Sequence, residues 1–318
     1  MLTQYSFDSA RYLASVRRGL LLPSIALATT IFAIPGYANT IDNIGVININ
    51  SSGATNPETI YNGDTLNNKS GGTINVNSGG TLEIKSGGVV NNESGGTVNV
   101  NNDGNILNNA LLTLTNAGSF NVNGTGTVTG SGSLVQSAGT LTVNGSLTQS
   151  ALDINGGTLQ GIGTITAPVT ITNGTVAHGT CAAGTLTVAH NLTLTSGSIN
   201  IQIGGTNSGE YDLINLSSGA ASFAASTIHF SFINNYSPMV GEYVDFVTTT
   251  AGITGVGGLN FDYSALLGGY HYSVDTTNTD HTLRFNISSQ DVPEPGSFGL
   301  FGLGLAALMW QRRKPQFC

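Results

Sequence analysis

An eight-residue repeat limits what this chain can fold into more than any other feature. From Ser70 it reads SGGTINVN, SGGTLEIK, SGGVVNNE and SGGTVNVN, and from Asn102 NDGNILNN. Gly-Gly supplies the tight backbone of a corner, and the residues after it alternate, so that Ile74 and Val76, Leu82 and Ile84, and Val98 and Val100 face one way. Each octad is a strand plus a corner. A unit this short cannot bury a core alone, so it stacks on copies of itself into a solenoid. The coil length follows from a longer recurrence: LNNKSGG at Leu66 returns as VNNESGG at Val90, and TINVN at Thr73 returns as TVNVN at Thr97, each copy three octads on. Three octads per coil place Asn68 under Asn92 as an amide ladder and Lys69 under Glu93 as an exposed charge pair. Two octads per coil would set Asn68 on Ile84, a worse match. The expectation is an all-β chain, a triangular β-solenoid (β-helix) of either hand.

Composition agrees with that class and removes several partners. Charged residues make up 8% of the 318, while 44 glycines stand beside a 39% hydrophobic content, a mixture suited to strands with one aliphatic and one hydroxyl or amide side. Six of the nine cations (Arg11, Arg17, Arg18, Arg312, Arg313 and Lys314) lie near the two ends. Between residues 39 and 291 only Lys69, Lys85 and Arg284 face fifteen acids, a net charge of −12. That deficit argues against nucleic acid as a partner, because phosphate binding needs Lys and Arg. The two cysteines, Cys181 and Cys318, form no CxxC or Cys/His cluster, so no zinc site or disulfide framework is expected.

Both ends read as addresses. A basic stretch from Arg11 to Arg18, the uncharged run GLLLPSIALATTIFAI and Gly36-Tyr37-Ala38 make up a secretory signal peptide over residues 1–38, cleaved after Ala38. A secretion translocase is thereby an expected partner. At the other end, residues 296–310 carry no charge; as a helix they would span about 22 Å, short of the roughly 30 Å hydrocarbon core. Arg312, Arg313 and Lys314 follow, a basic tail that holds such a segment with its cations on the cytoplasmic side and the body outside. Pro293 and Pro295 keep the chain just before it extended and open to a processing enzyme.

Val292-Pro293-Glu294-Pro295-Gly296, then an apolar span rich in Gly and Leu, then Arg-Arg-Lys, resembles the PEP-CTERM sorting signal. The resemblance covers residues 291–318 and implies recognition by an exosortase-like enzyme in the inner membrane of a Gram-negative bacterium, often in company with exopolysaccharide. It implies a short transmembrane helix, a transient inner-membrane stage, and delivery to the cell surface or extracellular matrix. The tail PQFC is a little longer than the usual ending.

Between the addresses the octads blur after Asn109, where the alternation persists while the period drifts to roughly 10 to 20 residues, as in a solenoid with irregular coils. Residues 39–173 are read as Gly/Asn/Thr-rich solenoid repeats. Residues 174–290 form a second part, whose passages from Gly174 to Asn286 resemble the passenger segments of autotransporter-like surface proteins. Here His178 stands where those have Pro, and 179–184 replaces an Asn-Ser-Pro-Gly turn. That likeness implies stacked β coils ending in an aromatic cap, here Phe230, Phe232, Tyr243, Phe246, Phe261 and Tyr270.

No catalytic, cofactor or metal residues are assigned. A polysaccharide lyase needs a strong base with acids to hold calcium, and a hydrolase needs two carboxylates on one face. The acids here are scattered singly, and even Glu210 and Asp212, which share a face, read as solvated decoration. Lys69 and Lys85 occupy variable repeat positions. The five histidines show no HxH or HExxH spacing, and the calcium-binding nonapeptide is absent. Thr-x-Thr pairs at Thr113/Thr115, Thr127/Thr129, Thr164/Thr166, Thr170/Thr172, Thr185/Thr187 and Thr193/Thr195 raise an ice-binding solenoid, but their irregular spacing argues against regular ranks. The expected protein is an exported, non-catalytic structural or adhesive surface protein with extracellular polysaccharide as a candidate partner. The alternatives are a polysaccharide-active β-helix enzyme and an ice-binding β-solenoid.

Overall fold

The computed structural model describes residues 38, 40–50, 58–109, 114–178, 183–277 and 280–289. Apart from one 3-10 turn, Val256–Gly258, every regular element among them is a strand. One coil is built from Thr65–Asn68, Thr73–Val76 and Thr81–Ile84, and the next from Val89–Asn92, Thr97–Val100 and Asn105–Asn108. They stack in parallel and in register, Thr65 on Val89, Thr73 on Thr97 and Thr81 on Asn105. The three strands of a coil define three faces, here called first, second and third.

The alternation seen in the octads is the alternation of burial: in Thr65–Asn68, Thr73–Val76 and Val89–Asn92 the second and fourth residues are buried and the others half-buried. Leu66, Ile74, Val76, Leu82 and Ile84 are at most 1% exposed and stand one coil above Ile49 and Ile60 in a core that continues as one largely aliphatic column up the axis. The two glycines of each corner do different work. Gly71 and Gly95 take φ of 81° and 79°, the left-handed region that costs a side chain free energy. At Gly72 the constraint is space, since a Cβ there would lie 2.4 Å from the Asn43 carbonyl oxygen of the coil below. In the variant corner of NDGNILNN, Asp103 takes the first place with φ 57°, a conformation Asp tolerates better than most residues.

Beyond Asn109 the coil changes length while the strands stay in register. It shortens by steps, as Thr97 stacks on Ser119, Ser133 on Ala151 and Thr158 on Thr175. It then widens again, as Thr164 stacks on Thr187, Thr185 on Leu213 and Ser226 on Leu259. The drifting period of the sequence therefore understates the coil, because only the corners and outer loops change. Stacking runs without interruption past residue 173, where Thr158 pairs with Thr175 and Gly174 with Gly197. Two long strands, Leu192–Ile203 and Ala221–Phe232, pair along almost their whole length and carry the first face directly into the second.

The stack ends in an antiparallel sheet: Thr282–Ser289 pairs with both Tyr243–Thr249 and Tyr270–Asp275. An aromatic cluster closes the core there, with Phe230 edge-on to Phe246 at 5.3 Å and beside Phe285 at 4.6 Å, and Tyr272 stacked on Phe285 at 5.6 Å. Of the expected cap residues Phe230 and Phe246 are central. Phe232 packs at its margin against Tyr236 and Tyr272, and Tyr243 lies under the Arg284 guanidinium at 3.8 Å. Phe285, Tyr263 and Tyr272 were not anticipated.

Candidate functional site

Outward rows of amides and hydroxyls follow from the register. On the first face Asn67 donates to Asp42 and Asn91 to Asn67, each at 2.9 Å, and Thr115 donates to Asn91 at 2.6 Å. On the second face Asn75, Asn99 and Asn121 each donate to the residue below at 2.9 Å, beginning at Asn48. A third row, Asn50, Asn77, Asn101 and Asn123, lines the next corner. Lys69 meets Glu93 at 2.6 Å and Asp42 at 3.8 Å, the surface pairing expected of it, and Lys85 pairs with Glu83. These rows are half exposed and offer alternating donors and acceptors at the strand spacing.

Higher on the second face the row changes character and a groove of about 500 Å³ opens. Gln160 pairs with Ala177, Asn200 with His229, and His229 with Asp262, so successive coils place an amide, a methyl, an amide, an imidazole and a carboxylate along one line. Thr158 and Thr175 flank the line on one side and Gln202 and Ser231 on the other. His229 Nδ1 lies 2.8 Å from Asp262 Oδ2, with both side chains partly exposed. Asp262 also accepts the Ser264 N–H at 2.9 Å, and hydrogen bonds from Ser264 and His229 hold its carboxyl down at about 2. The Gln202 Oε1 atom is buried and has no hydrogen-bond partner.

Behind the groove sits Asp212. The reading of the acids as solvated decoration fails here, because the Asp212 side chain is fully buried. It accepts the Gly184 N–H at 3.1 Å and the Gln202 N–H at 2.9 Å, tying the residue just before the strand Thr185–Val188 to the strand Leu192–Ile203 where the coil widens. His178, also fully buried, has Nδ1 3.6 Å from Asp212, beyond hydrogen-bond distance, and Nε2 3.0 Å from the Leu213 carbonyl and 3.2 Å from the Leu186 nitrogen. Burial pushes Asp212 up to about 6 and His178 down to about 4. Asp212 and Asp262 both line the groove, but Asp212 presents no exposed surface and both of its oxygens take backbone donors.

Two of the Thr-x-Thr pairs are more ordered than their spacing in the chain implies. Thr127 stacks on Ser146 and Ser146 on Thr164, with Thr129, Thr148 and Thr166 further along the same third-face strands. The other pairs lie elsewhere: Thr170 stacks on Thr193 on the first face, and on the third face Thr164 meets Thr187, not Thr185, so the rank slips there by two residues.

Among the described residues no group of three His, Cys, Asp or Glu side chains is placed to hold a metal, and no helix is long and apolar enough to cross a membrane. Ala38 is exposed, just ahead of the first strand Thr40–Asn43. Val292, Pro293, Glu294, Pro295, Gly296, Arg312, Arg313 and Lys314, the apolar run between them and the segment before Ala38 lie outside the described residues, as do Cys181 and Cys318. The groove was not found in the sequence, although the outward parity of Asn200 and Gln202 in SINIQI and of His229 in STIHFSF is plain there. Bringing the two passages together needs the register that sets Asn200 beside His229. No curated protein matches the chain. Residues 291–314 match the family model of the PEP-CTERM protein-sorting motif, so the chain carries a PEP-CTERM sorting signal behind its solenoid.

Proposed function

We propose that the protein is an exported, non-catalytic structural or adhesive solenoid that an exosortase-type system delivers to the cell surface or surrounding matrix, where it associates with extracellular polysaccharide. The observation that carries this reading is the sorting motif at 291–314, which implies exosortase-dependent export. The body supports it by what it offers outside: long rows of Asn, Thr and Ser with few charges, suited to many weak hydrogen bonds along a polymer. The enclosed Asp212 speaks against a two-carboxylate hydrolase, since a general acid must reach the glycosidic oxygen. On this reading the secretion translocase exports the chain and residues 1–38 are removed, the apolar run holds it briefly in the inner membrane, and cleavage near Pro293-Glu294-Pro295 releases it.

Intact mass of the mature protein from its own host tests the sorting step. The wild type should lack Cys318, and Glu294→Ala should retain it; a C-terminus still ending in Cys318 in both would overturn the proposal. A second reading draws on the ranks Thr127/Thr129, Ser146/Thr148 and Thr164/Thr166, an ordered hydroxyl array of the kind that could template ice. Thermal hysteresis of the purified protein decides it, and zero activity ends it.

A further inference from the structure

Resting on the surface-protein reading above, we propose that the second-face groove at Gln160, Ala177, Asn200, Gln202 and His229 is a binding site for a single strand of linear, uncharged polysaccharide laid along the solenoid axis.

The lining selects the ligand class by elimination. It contains no Lys or Arg, so a phosphate, sulfate or carboxylate would enter without a counter-charge. Of its two acids Asp212 is enclosed and held by two backbone N–H groups, and Asp262, though partly exposed, is already paired with His229 and Ser264, so a cationic ligand finds one carboxylate that it must share. An apolar ligand would strip water from threonines and amides and give nothing back. What remains is a ligand that is itself uncharged and both donor and acceptor at many points, which describes a sugar chain.

The geometry selects a strand over a compact molecule. Gln160, Ala177, Asn200 and His229 come from successive coils, so their spacing along the groove is that of stacked strands, about 4.8 Å. One sugar unit of an extended glycan advances by a similar length, so successive units meet successive coils. Ala177 is the short member of the line and forms the depression. Gln202 and Ser231 add an amide and a hydroxyl along one wall, groups that pair with sugar hydroxyls as donor or acceptor. With Nδ1 engaged by Asp262, the His229 ring keeps Nε2 for a second hydroxyl.

Native affinity electrophoresis of the mature protein purified from its host tests this, with gels containing hydroxyethyl cellulose, galactomannan, laminarin or dextran, and with dextran sulfate as the anionic control. At least one neutral gel should retard the wild type, and dextran sulfate should not retard it more. Asn200→Ala with His229→Ala should weaken binding at least about tenfold, the loss of roughly one good hydrogen bond. Ala177→Trp, which fills the depression and removes no polar group, should do the same. Asn99→Ala, on the ladder below, should bind as the wild type, and equal melting temperatures guard against misfolding. No retardation in any neutral gel, retardation by dextran sulfate alone, or full binding by the groove variants would each overturn the proposal. A protein correctly processed at its C-terminus yet not retarded removes the groove site and leaves the sorting reading standing, whereas loss of processing removes the latter.

Discussion

At His178 and Asp212 burial moves two ionisable groups in opposite directions, and the signs set an expectation for stability. The His178 pKa falls from 6.5 to about 4, so the unfolded chain takes up this proton first, and the contribution to stability present above pH 6.5 is lost as the pH falls towards 4. The Asp212 pKa rises from 3.8 to about 6, so its contribution is full below pH 3.8 and is lost as the pH rises towards 6. Between pH 4 and 6 the two slopes oppose, and the intact pair should add little pH dependence. Removing one partner uncovers the other. Thermal melts from pH 4 to 7 should show His178→Gln losing stability relative to wild type as pH rises through 4 to 6. Asp212→Asn should lose it as pH falls through 6.5 to 4. Three parallel profiles would mean that these groups do not titrate as their burial requires.

Between elements, a buried link beside the backbone ladders is the amide column inside the corner of the first and second faces. Asn43 donates to Asn68, Asn68 to Asn92 and Asn92 to Asn116, at 2.7, 2.8 and 2.7 Å, and Gln136 continues the column. The second N–H of each asparagine reaches a strand carbonyl one coil on, Thr97 from Asn68 and Ser119 from Asn92. Asn68, Asn92 and Asn116 are at most 1% exposed. Asn92→Ala should therefore cost about 1–3 kcal/mol for each group left without a partner. Asn99→Ala, which breaks an equally regular but half-exposed ladder, should stay within about 0.5 kcal/mol. Urea unfolding followed by circular dichroism measures both, and equal losses would show that enclosure contributes nothing. The sequence alone revealed Asn92 over Asn68 and Glu93 over Lys69 because those coils keep a constant length of three octads. It hid Gln136 over Asn116 because that coil is shorter and the partner is no longer Asn. The same loss of period concealed the Thr ranks, the partners of Phe230 in the cap and the meeting of Asn200 with His229. Burial is likewise invisible in a short motif: in GEYDLINL the alternation shows that Asp212 points to one side, but only the widened coil makes that side the interior.

The molecule as a whole is one-dimensional: each coil touches the coil below and the coil above, so stability is close to a sum of coil terms and interface terms. Such a stack should tolerate loss of a whole coil and fail on loss of a fraction of one. Deleting residues 73–96 removes one second-face, one third-face and one first-face strand and joins Gly72 to Thr97. The new corner then reads Lys69-Ser70-Gly71-Gly72 before Thr97, in place of Glu93-Ser94-Gly95-Gly96. Asn68 should then stack on Asn116 as Asn92 does now, with Ser119 as its carbonyl partner. The outer row should likewise close, Asn75 being replaced by Asn99 above Asn48. Deleting residues 73–84 removes half that length, sets the corner residues 85–88 where the second-face strand Thr73–Val76 stood, and leaves the amide column without its register. The whole-coil deletion should keep the wild-type circular dichroism spectrum and a single cooperative melt lowered by a few degrees, while the half-coil deletion should be largely unfolded or insoluble. Equal damage from both would mean that the coil is not the unit by which this chain folds.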